Sequence, residues 1–286
     1  MSPVGVYDSG FGGLSVLREL RQALPLADFV YLGDNGRAPY GGRDTNVVLD
    51  LSEQCVERLF GEGCRIVVVA CHTVSSVALR HLQVRYASAG SGRAILGVTI
   101  PAAELAVRES RGDIGWLATA RTVASGTFST EVAKLSRHGP PMFVREVAAP
   151  LLAAIVEEGW ESSDIARSAV RRYLEPLVGI DTLVLGCTHY PLLMPIFSEC
   201  ADYGVQIVDP AAYVAERLSG WFDRHPTYCP SGGGSLRVLS TGNTANFAQH
   251  GERFLGAPLP AIETIAESGG RLVERAAGEP SGQVVR

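Results

Sequence analysis

Two short apolar runs, 116 residues apart, each end in a cysteine set among hydroxyl and imidazole side chains, and this duplication constrains the chain more than any other feature. The first is Val67-Val68-Val69-Ala70 leading into Cys71-His72-Thr73, the second Leu183-Val184-Leu185-Gly186 leading into Cys187-Thr188-His189-Tyr190-Pro191. Aliphatic runs without strict polar alternation are the pattern of central strands buried on both faces. Each run therefore predicts a strand that delivers a thiol to a cleft before a new helix starts. The pair predicts two domains facing each other.

The rest of the chain repeats this strand-to-helix grammar. Val4-Gly5-Val6-Tyr7 predicts a strand, Asp8-Ser9-Gly10-Phe11-Gly12-Gly13 a glycine-rich loop, and Leu14, Leu17, Leu20 and Leu24 a helix. Phe29 to Leu32 is a second strand, followed by a loop rich in Gly, Pro and Asn from Gly33 to Gly42. Val48, Leu51, Cys55 and Leu59 recur at helical spacing, which makes Cys55 a core residue; Cys64, Cys200 and Cys229 receive the same reading. Ala94 to Val98 is a further strand, and Pro101 falls in the first turn of the helix after it.

A second half begins there. Ile114 to Thr119, followed by Thr122 and Ser125, repeats the opening pattern of strand and small polar loop, and Met142-Phe143-Val144 with Val147 supplies another strand. A helix around Leu151 to Val156 ends in Glu157-Glu158-Gly159, and an amphipathic helix from Ser163 to Val178 leads into the Cys187 strand. Val205 to Asp209 is a strand, Pro210 to Phe222 a helix, and Asp223 to Ser235 a surface excursion. Leu236 to Leu239 with Phe247 and Phe254 is read as the last strand and helix, and the tail from Glu267 onward, rich in Gly, Glu and Arg, is expected to be loose at its end. Strands alternating with helices in this way predict a doubly wound α/β architecture with parallel sheets.

Composition removes several function classes. Twenty-five basic against thirty acidic residues supply neither the basic stripe of a nucleic-acid binder nor a polybasic membrane anchor, so a small molecule is the expected partner. No stretch reaches eighteen uninterrupted apolar residues, and the first residues lack a signal-peptide pattern, which predicts a cytoplasmic protein. Six scattered cysteines read as free thiols. Lys134 is the single lysine, so a Gly-Lys-Ser/Thr phosphate loop is ruled out, and a pyridoxal phosphate enzyme would need Lys134 for its Schiff base. The Gly10-Phe11-Gly12-Gly13 loop matches a dinucleotide fingerprint only loosely. The expectation is that no cofactor is required.

What remains is the chemistry of the two thiols. A strand end that opens a helix offers amide N–H groups and the helix dipole to a thiolate. An ordinary thiol is about 3% ionised at pH 7, and lowering its pKa by about 1.5 units takes about 2 kcal/mol. Asp8 and His189 are the candidate neighbours that assist. Moving a proton off one face of a carbon and onto the other needs two acid/base groups on opposite sides, which is the logic of a racemase. Two sulfurs within about 3 to 3.5 Å of one carbon stand about 6 to 7.5 Å apart, too far for a disulfide. A single buried Cys is more often a small hydrophobe, but the duplicated setting favours chemistry. Cys71, His72, Cys187 and His189 also have the composition of a zinc site, without its usual spacing.

These residues carry a resemblance. Gly5 to Val16, Gly33-Asp34 through Pro39-Tyr40-Gly41, Ala70-Cys71, Glu157-Glu158-Gly159 and Asp181 to Leu193 together resemble glutamate racemases of the cofactor-independent aspartate/glutamate racemase superfamily, and the likeness runs from Val4 to about Gly256. The resemblance implies two pseudosymmetric domains with the active site between them, 1–97 plus 209–286 forming the first and 98–208 the second. It implies Cys71 and Cys187 as the acid/base pair, assisted by Asp8 and His189. Asp8, Ser9, Pro39, Tyr40, Gly41, His72, Thr73, Thr188 and His189 fall where the family binds its amino acid, and Glu157 where it has a further acidic residue. A homodimer and a role in supplying D-glutamate for peptidoglycan are implied as well. One departure stands out: the family's Ala-Cys-Asn-Thr is here Ala70-Cys71-His72-Thr73. His72 is expected to line the pocket, and if protonated to favour a carboxylate and lower the Cys71 pKa. The departure keeps three readings open: a glutamate racemase, a racemase of another amino acid, or a lapsed binding protein, the last disfavoured by retention of both cysteines, Asp8 and His189.

Overall fold

The computed structural model describes residues 2–274. Four strands come first, β1 (Val4–Asp8), β2 (Phe29–Gly33), β3 (Ile66–Val69) and β4 (Ala94–Gly97). Four more, β5 (Asp113–Ala118), β6 (Phe143–Ala148), β7 (Thr182–Gly186) and β8 (Gln206–Val208), form a separate sheet in the order β6-β5-β7-β8. The chain then returns to the first sheet with β9 (Leu236–Ser240), β10 (Ile262–Ser268) and β11 (Arg271–Glu274), completing the order β11-β10-β9-β2-β1-β3-β4. Every pairing is parallel except β10 with β11. The doubly wound parallel architecture read from the sequence is what the chain adopts.

Strand alternation assigns the two faces of the first sheet. Val4, Val6, Phe29 and Tyr31 pack with Leu14, Leu17 and Leu20 of helix Leu14–Ala23. Tyr7, Val30 and Leu32 point the other way, against Val48, Cys55, Val56 and Leu59 of helix Thr45–Gly61. Successive side chains of a strand face opposite sides, so β1 and β2 need apolar residues throughout. The first apolar cluster continues past Val214 and Leu218 of helix Ala211–Arg224 to Leu152, Ile155 and Leu185 of the second sheet's layers. A shared core thus joins the two lobes along one side, and the strand ends on the other side face an open cleft.

Four expectations are corrected. The strand at Leu236 is not the last: β10 and β11 follow it, Glu267 and Ser268 end β10, which turns at Gly269-Gly270 into β11, pairing Ser268 with Arg271 and Ile265 with Glu274. The signal lay in a two-residue Gly-Gly hairpin turn, Gly269-Gly270; the end of the tail, 275–286, where the looseness is expected, lies outside the described residues. The amphipathic helix is shorter, Asp164–Leu174, because Pro176 forces a tighter turn at Glu175–Leu177. No α-helix opens directly after Cys187; a 3-10 turn, Tyr190–Leu193, intervenes before helix Met194–Cys200. Finally, Cys229 is exposed rather than in the core, since it falls in the excursion past Arg224, and Cys200 is half-buried; Cys55 and Cys64 are buried as expected.

Candidate active site

The cleft is assembled from the C-terminal ends of parallel strands, where an open α/β sheet presents its loops. Beyond β1 lie Ser9 and Gly10, beyond β2 Pro39, Tyr40 and Gly41, and beyond β3 Cys71, His72 and Thr73. From the second lobe come Thr119 after β5, Glu157 of helix Pro150–Glu157 after β6, and Cys187, Thr188 and His189 after β7. The volume of the cleft is about 270 Å³. That is just under the range of about 300–1,000 Å³ usual for drug-sized ligands, and fits a molecule the size of one amino acid. The structure therefore brings together both cysteines, one from each lobe, and every sequence-predicted binding residue except Asp8, which sits behind the lining.

On the second lobe the thiol has an imidazole partner. Cys187 Sγ lies 3.8 Å from His189 Nδ1, and His189 Nε2 lies 3.1 Å from Glu157 Oε1. Burial opposes a charge on His189, yet the hydrogen bonds to Cys187 and Glu157, together with their charges, outweigh it and hold the imidazole up at about 10. Burial likewise works against the Glu157 carboxylate, and the same His189 contact draws its pKa below the ordinary value. The row is thus Cys187, His189⁺, Glu157⁻.

The first lobe is built differently. Cys71 Sγ contacts Ser9 Oγ at 3.4 Å and is 6% exposed. Burial, reinforced by the Asp8 charge, pushes the Cys71 thiol up to about 12. This reverses the expectation that a helix start would lower it: the helix beyond, His72–Val77, is only six residues long, and the thiol is buried. Asp8 itself is fully buried, its Oδ1 accepting the Gly10 N–H at 2.9 Å, while its Oδ2 has no partner among the described residues. Burial raises the Asp8 carboxyl, against the pull of His189 and of the Gly10 and Gly13 amides.

His72 lines the cleft but is almost wholly enclosed, at 4% exposure, with its ring edge-on to Trp116 at 5.5 Å. Burial alone pushes its pKa down to about 3, so the ring is neutral at any physiological pH and cannot act as the cation considered above. Its Nδ1 and the neighbouring Trp116 Nε1 are both buried without a partner among the described residues. Trp116 is fixed by stacking on Phe128 at 3.9 Å and by the close approach of Gly186, where a Cβ would come within 2.6 Å of the indole Cε2.

Two constellations went unread in the sequence. Thr73, Thr119 and Thr122 form a hydroxyl triangle of 2.8 to 3.3 Å sides that spans the two lobes. Thr119 was visible as the polar residue ending a strand, as Cys71 and Cys187 do, but without a thiol to mark it. Tyr40 lines the cleft, and its hydroxyl donates to buried Asp34, which also takes Arg37 Nε at 2.8 Å and Thr241 Oγ1 at 2.7 Å. Nothing in spacing links Thr241 to a loop two hundred residues earlier. Lys134 is outside the cleft, paired with Glu131 at 2.7 Å on an exposed helix face. Among the described residues no group of three or more His, Cys, Asp or Glu side chains is disposed to hold a metal ion.

Comparison with known proteins adds to this geometry. The model of the Asp/Glu/Hydantoin racemase family matches residues 37–218. A glutamate racemase of Neisseria gonorrhoeae is 36% identical over 276 residues, covering 92% of this chain and 96% of the relative. Among solved structures, a glutamate racemase of Bacillus anthracis superposes with a TM-score of 0.84 at 31% identity, covering 94% of this chain and 98% of that one. A glutamate racemase of Francisella tularensis in complex with D-glutamate also reaches 0.84, at 26% identity, covering 93% and 97% of the two chains.

Proposed function

The chain belongs to the Asp/Glu/Hydantoin racemase family, and from that premise we propose that it interconverts L- and D-glutamate, with Cys71 and Cys187 moving the α-proton between the two faces of the carbon. The observation that carries this reading is one cleft lined by two thiols delivered from opposite lobes at equivalent strand ends. Both thiols are free and neither has the other as a partner.

The two sides divide the work unequally. Cys71, pushed up to about 12, rests as the thiol and is the proton donor of the resting site. Cys187 takes the α-proton, and the His189 imidazolium 3.8 Å away supplies the positive charge that its thiolate needs before and during abstraction. For the opposite enantiomer the roles reverse: Cys71 must ionise first, with the buried Asp8 carboxyl as the assisting group on its lobe. Ser9, Pro39, Tyr40, Gly41, His72, Thr73 and Thr188 hold the amino acid between the sulfurs, and the backbone amides and hydroxyls among them suit its carboxylates. The reading needs no pyridoxal phosphate or metal. Domain boundaries at 97/98 and 208/209, a homodimer, a cytoplasmic location and a place in peptidoglycan supply complete it, resting on the family resemblance.

The deciding experiment is solvent exchange. Incubation with L-glutamate and, separately, D-glutamate in D₂O is expected to give both deuterium at Cα and the opposite enantiomer; a protein that binds glutamate without exchange is the lapsed reading, and one that exchanges another amino acid far faster has a different substrate.

His72→Asn tests the departure from the family motif. Because the ring is neutral throughout pH 6 to 9, the substitution is expected to change KM and the preference among amino acids several-fold, while the pH profile of kcat/KM stays superimposable on wild type. A shifted profile would show that His72 does titrate in the working range, and an unchanged KM that it is a bystander.

A further inference from the structure

The rim of the cleft formed by residues 37–44 is held from two directions. From beneath, Asp34 of its own lobe takes hydrogen bonds from Arg37 and Tyr40, and Arg43 ties the loop to itself by donating Nη2 to the Arg37 carbonyl at 2.8 Å and Nε to the Pro39 carbonyl at 3.1 Å. From across the cleft comes Arg121, in the short helix Ala120–Ala124 that follows β5. Its backbone N–H donates to the Gly41 carbonyl at 2.9 Å, its Nε to the Arg43 carbonyl at 2.6 Å, and its Nη2 reaches Asp44 Oδ1 at 3.5 Å. Gly41 backs directly onto Thr119, where a Cβ would come within 2.9 Å of the threonine Cβ, so the two segments meet with no room for a side chain between them.

We propose that Arg121 is a positioning residue for the reaction: it clasps loop 37–44 to the opposite lobe and thereby closes the cleft over the bound amino acid. The inference rests on the reading of the cleft as the racemase site. The geometry favours this role over a merely structural one, because the contacts through Asp34 and Arg43 keep the loop within its own lobe, whereas Arg121 alone of these side chains crosses the gap. Its guanidinium grips the Arg43 carbonyl and the Asp44 carboxylate at once, a fork that a lysine cannot reproduce, while the backbone bond to Gly41 does not depend on the side chain. Pro39, Tyr40 and Gly41 lie within the clasped loop, so its position sets where they meet the substrate. A loop released from the clasp loses contacts that hold substrate and transition state alike, which raises KM and leaves kcat nearly unchanged. Entry and exit of the amino acid then require the clasp to open, as lids do in many enzymes.

Hydrogen–deuterium exchange of the free protein, read by mass spectrometry on a peptide covering residues 37–44, reports the clasp without any turnover. Arg121→Ala is expected to speed exchange there several-fold while peptides covering β1 and β7 stay unchanged, and Arg121→Lys to fall between. In steady state the KM for glutamate should rise about tenfold in Arg121→Ala with kcat within twofold of wild type. Unchanged exchange over 37–44, or a fall in kcat at constant KM, would overturn the role. If the wild-type protein does not turn over glutamate, the assigned reaction fails, and the exchange data alone still decide whether Arg121 holds the loop.

Discussion

Cys71→Ser and Cys187→Ser are each expected to lower racemisation of glutamate by about 10³-fold or more in both directions, with thermal unfolding little changed. The hydroxyl replaces a sulfur of similar shape at a position 6 to 8% exposed, so packing survives. The chemistry does not, because a serine hydroxyl neither ionises near neutrality nor returns a proton as a thiol does. Each enantiomer needs one sulfur to accept and the other to donate, so losing either breaks the inversion whichever way it runs. What survives identifies the two-sided mechanism. In each variant the remaining cysteine still abstracts from its own face and returns a solvent-exchanged proton to that face. Deuterium should therefore enter one enantiomer without inversion, and the two variants should label opposite enantiomers. Circular dichroism of the product and NMR of the α-deuteron measure the two quantities. Full racemisation by either variant, or the same enantiomer labelled by both, would sink the two-thiol mechanism.

The placement of those thiols was legible because it rests on strong signals. Val67 to Ala70 and Leu183 to Gly186 are too apolar to be anything but central strands, and a residue just past such a strand lies at the cleft in a parallel sheet. The titration of Cys71 was not legible. A helix terminus contributes at most about 2 kcal/mol, whereas a rise from 9 to about 12 corresponds to about 4 kcal/mol of differential stabilisation of the thiol. Burial wins, and burial is a property of the packed lobes, not of the residues beside Cys71. The same holds for His72, whose neutrality follows from enclosure beside Trp116. Contacts between distant segments, such as Asp34 with Thr241 or Arg121 with Arg43, leave no mark in local spacing at all. The β10–β11 hairpin is a different kind of miss: the Gly-Gly turn was present, but the flanking run does not alternate apolar with polar, and the surrounding Glu and Arg residues outweighed the turn.

The Cys187–His189–Glu157 row yields the second large effect. His189→Asn is expected to lower kcat/KM by about 10²-fold, since the amide can hydrogen-bond the sulfur but cannot face it with a positive charge. L- and D-glutamate have equal free energy in solution, so kcat/KM must fall by the same factor in both directions. The asymmetry between the lobes appears instead in the substrate isotope effect, which should rise for the enantiomer whose α-proton goes to Cys187. Stability gives an independent reading. The folded-state pKa of His189, about 10, lies above its ordinary value of about 6.5, so its contribution is complete below pH about 6.5 and is lost as pH climbs through 10. The Glu157 carboxyl is depressed, so its contribution is present above its ordinary pKa and lost as pH falls through the folded value. The pair therefore stabilises the fold most between about pH 5 and 6.5. Glu157→Gln, which keeps an acceptor for His189 but removes the charge, should destabilise by about 0.5 to 1 kcal/mol in that window, a modest figure because the Glu157 side chain is 42% exposed. The difference should vanish near pH 10. Urea unfolding of wild type and Glu157→Gln at pH 6 and pH 10 measures it, and a difference that persists undiminished at pH 10 would show that His189 is not the charged partner in the folded protein.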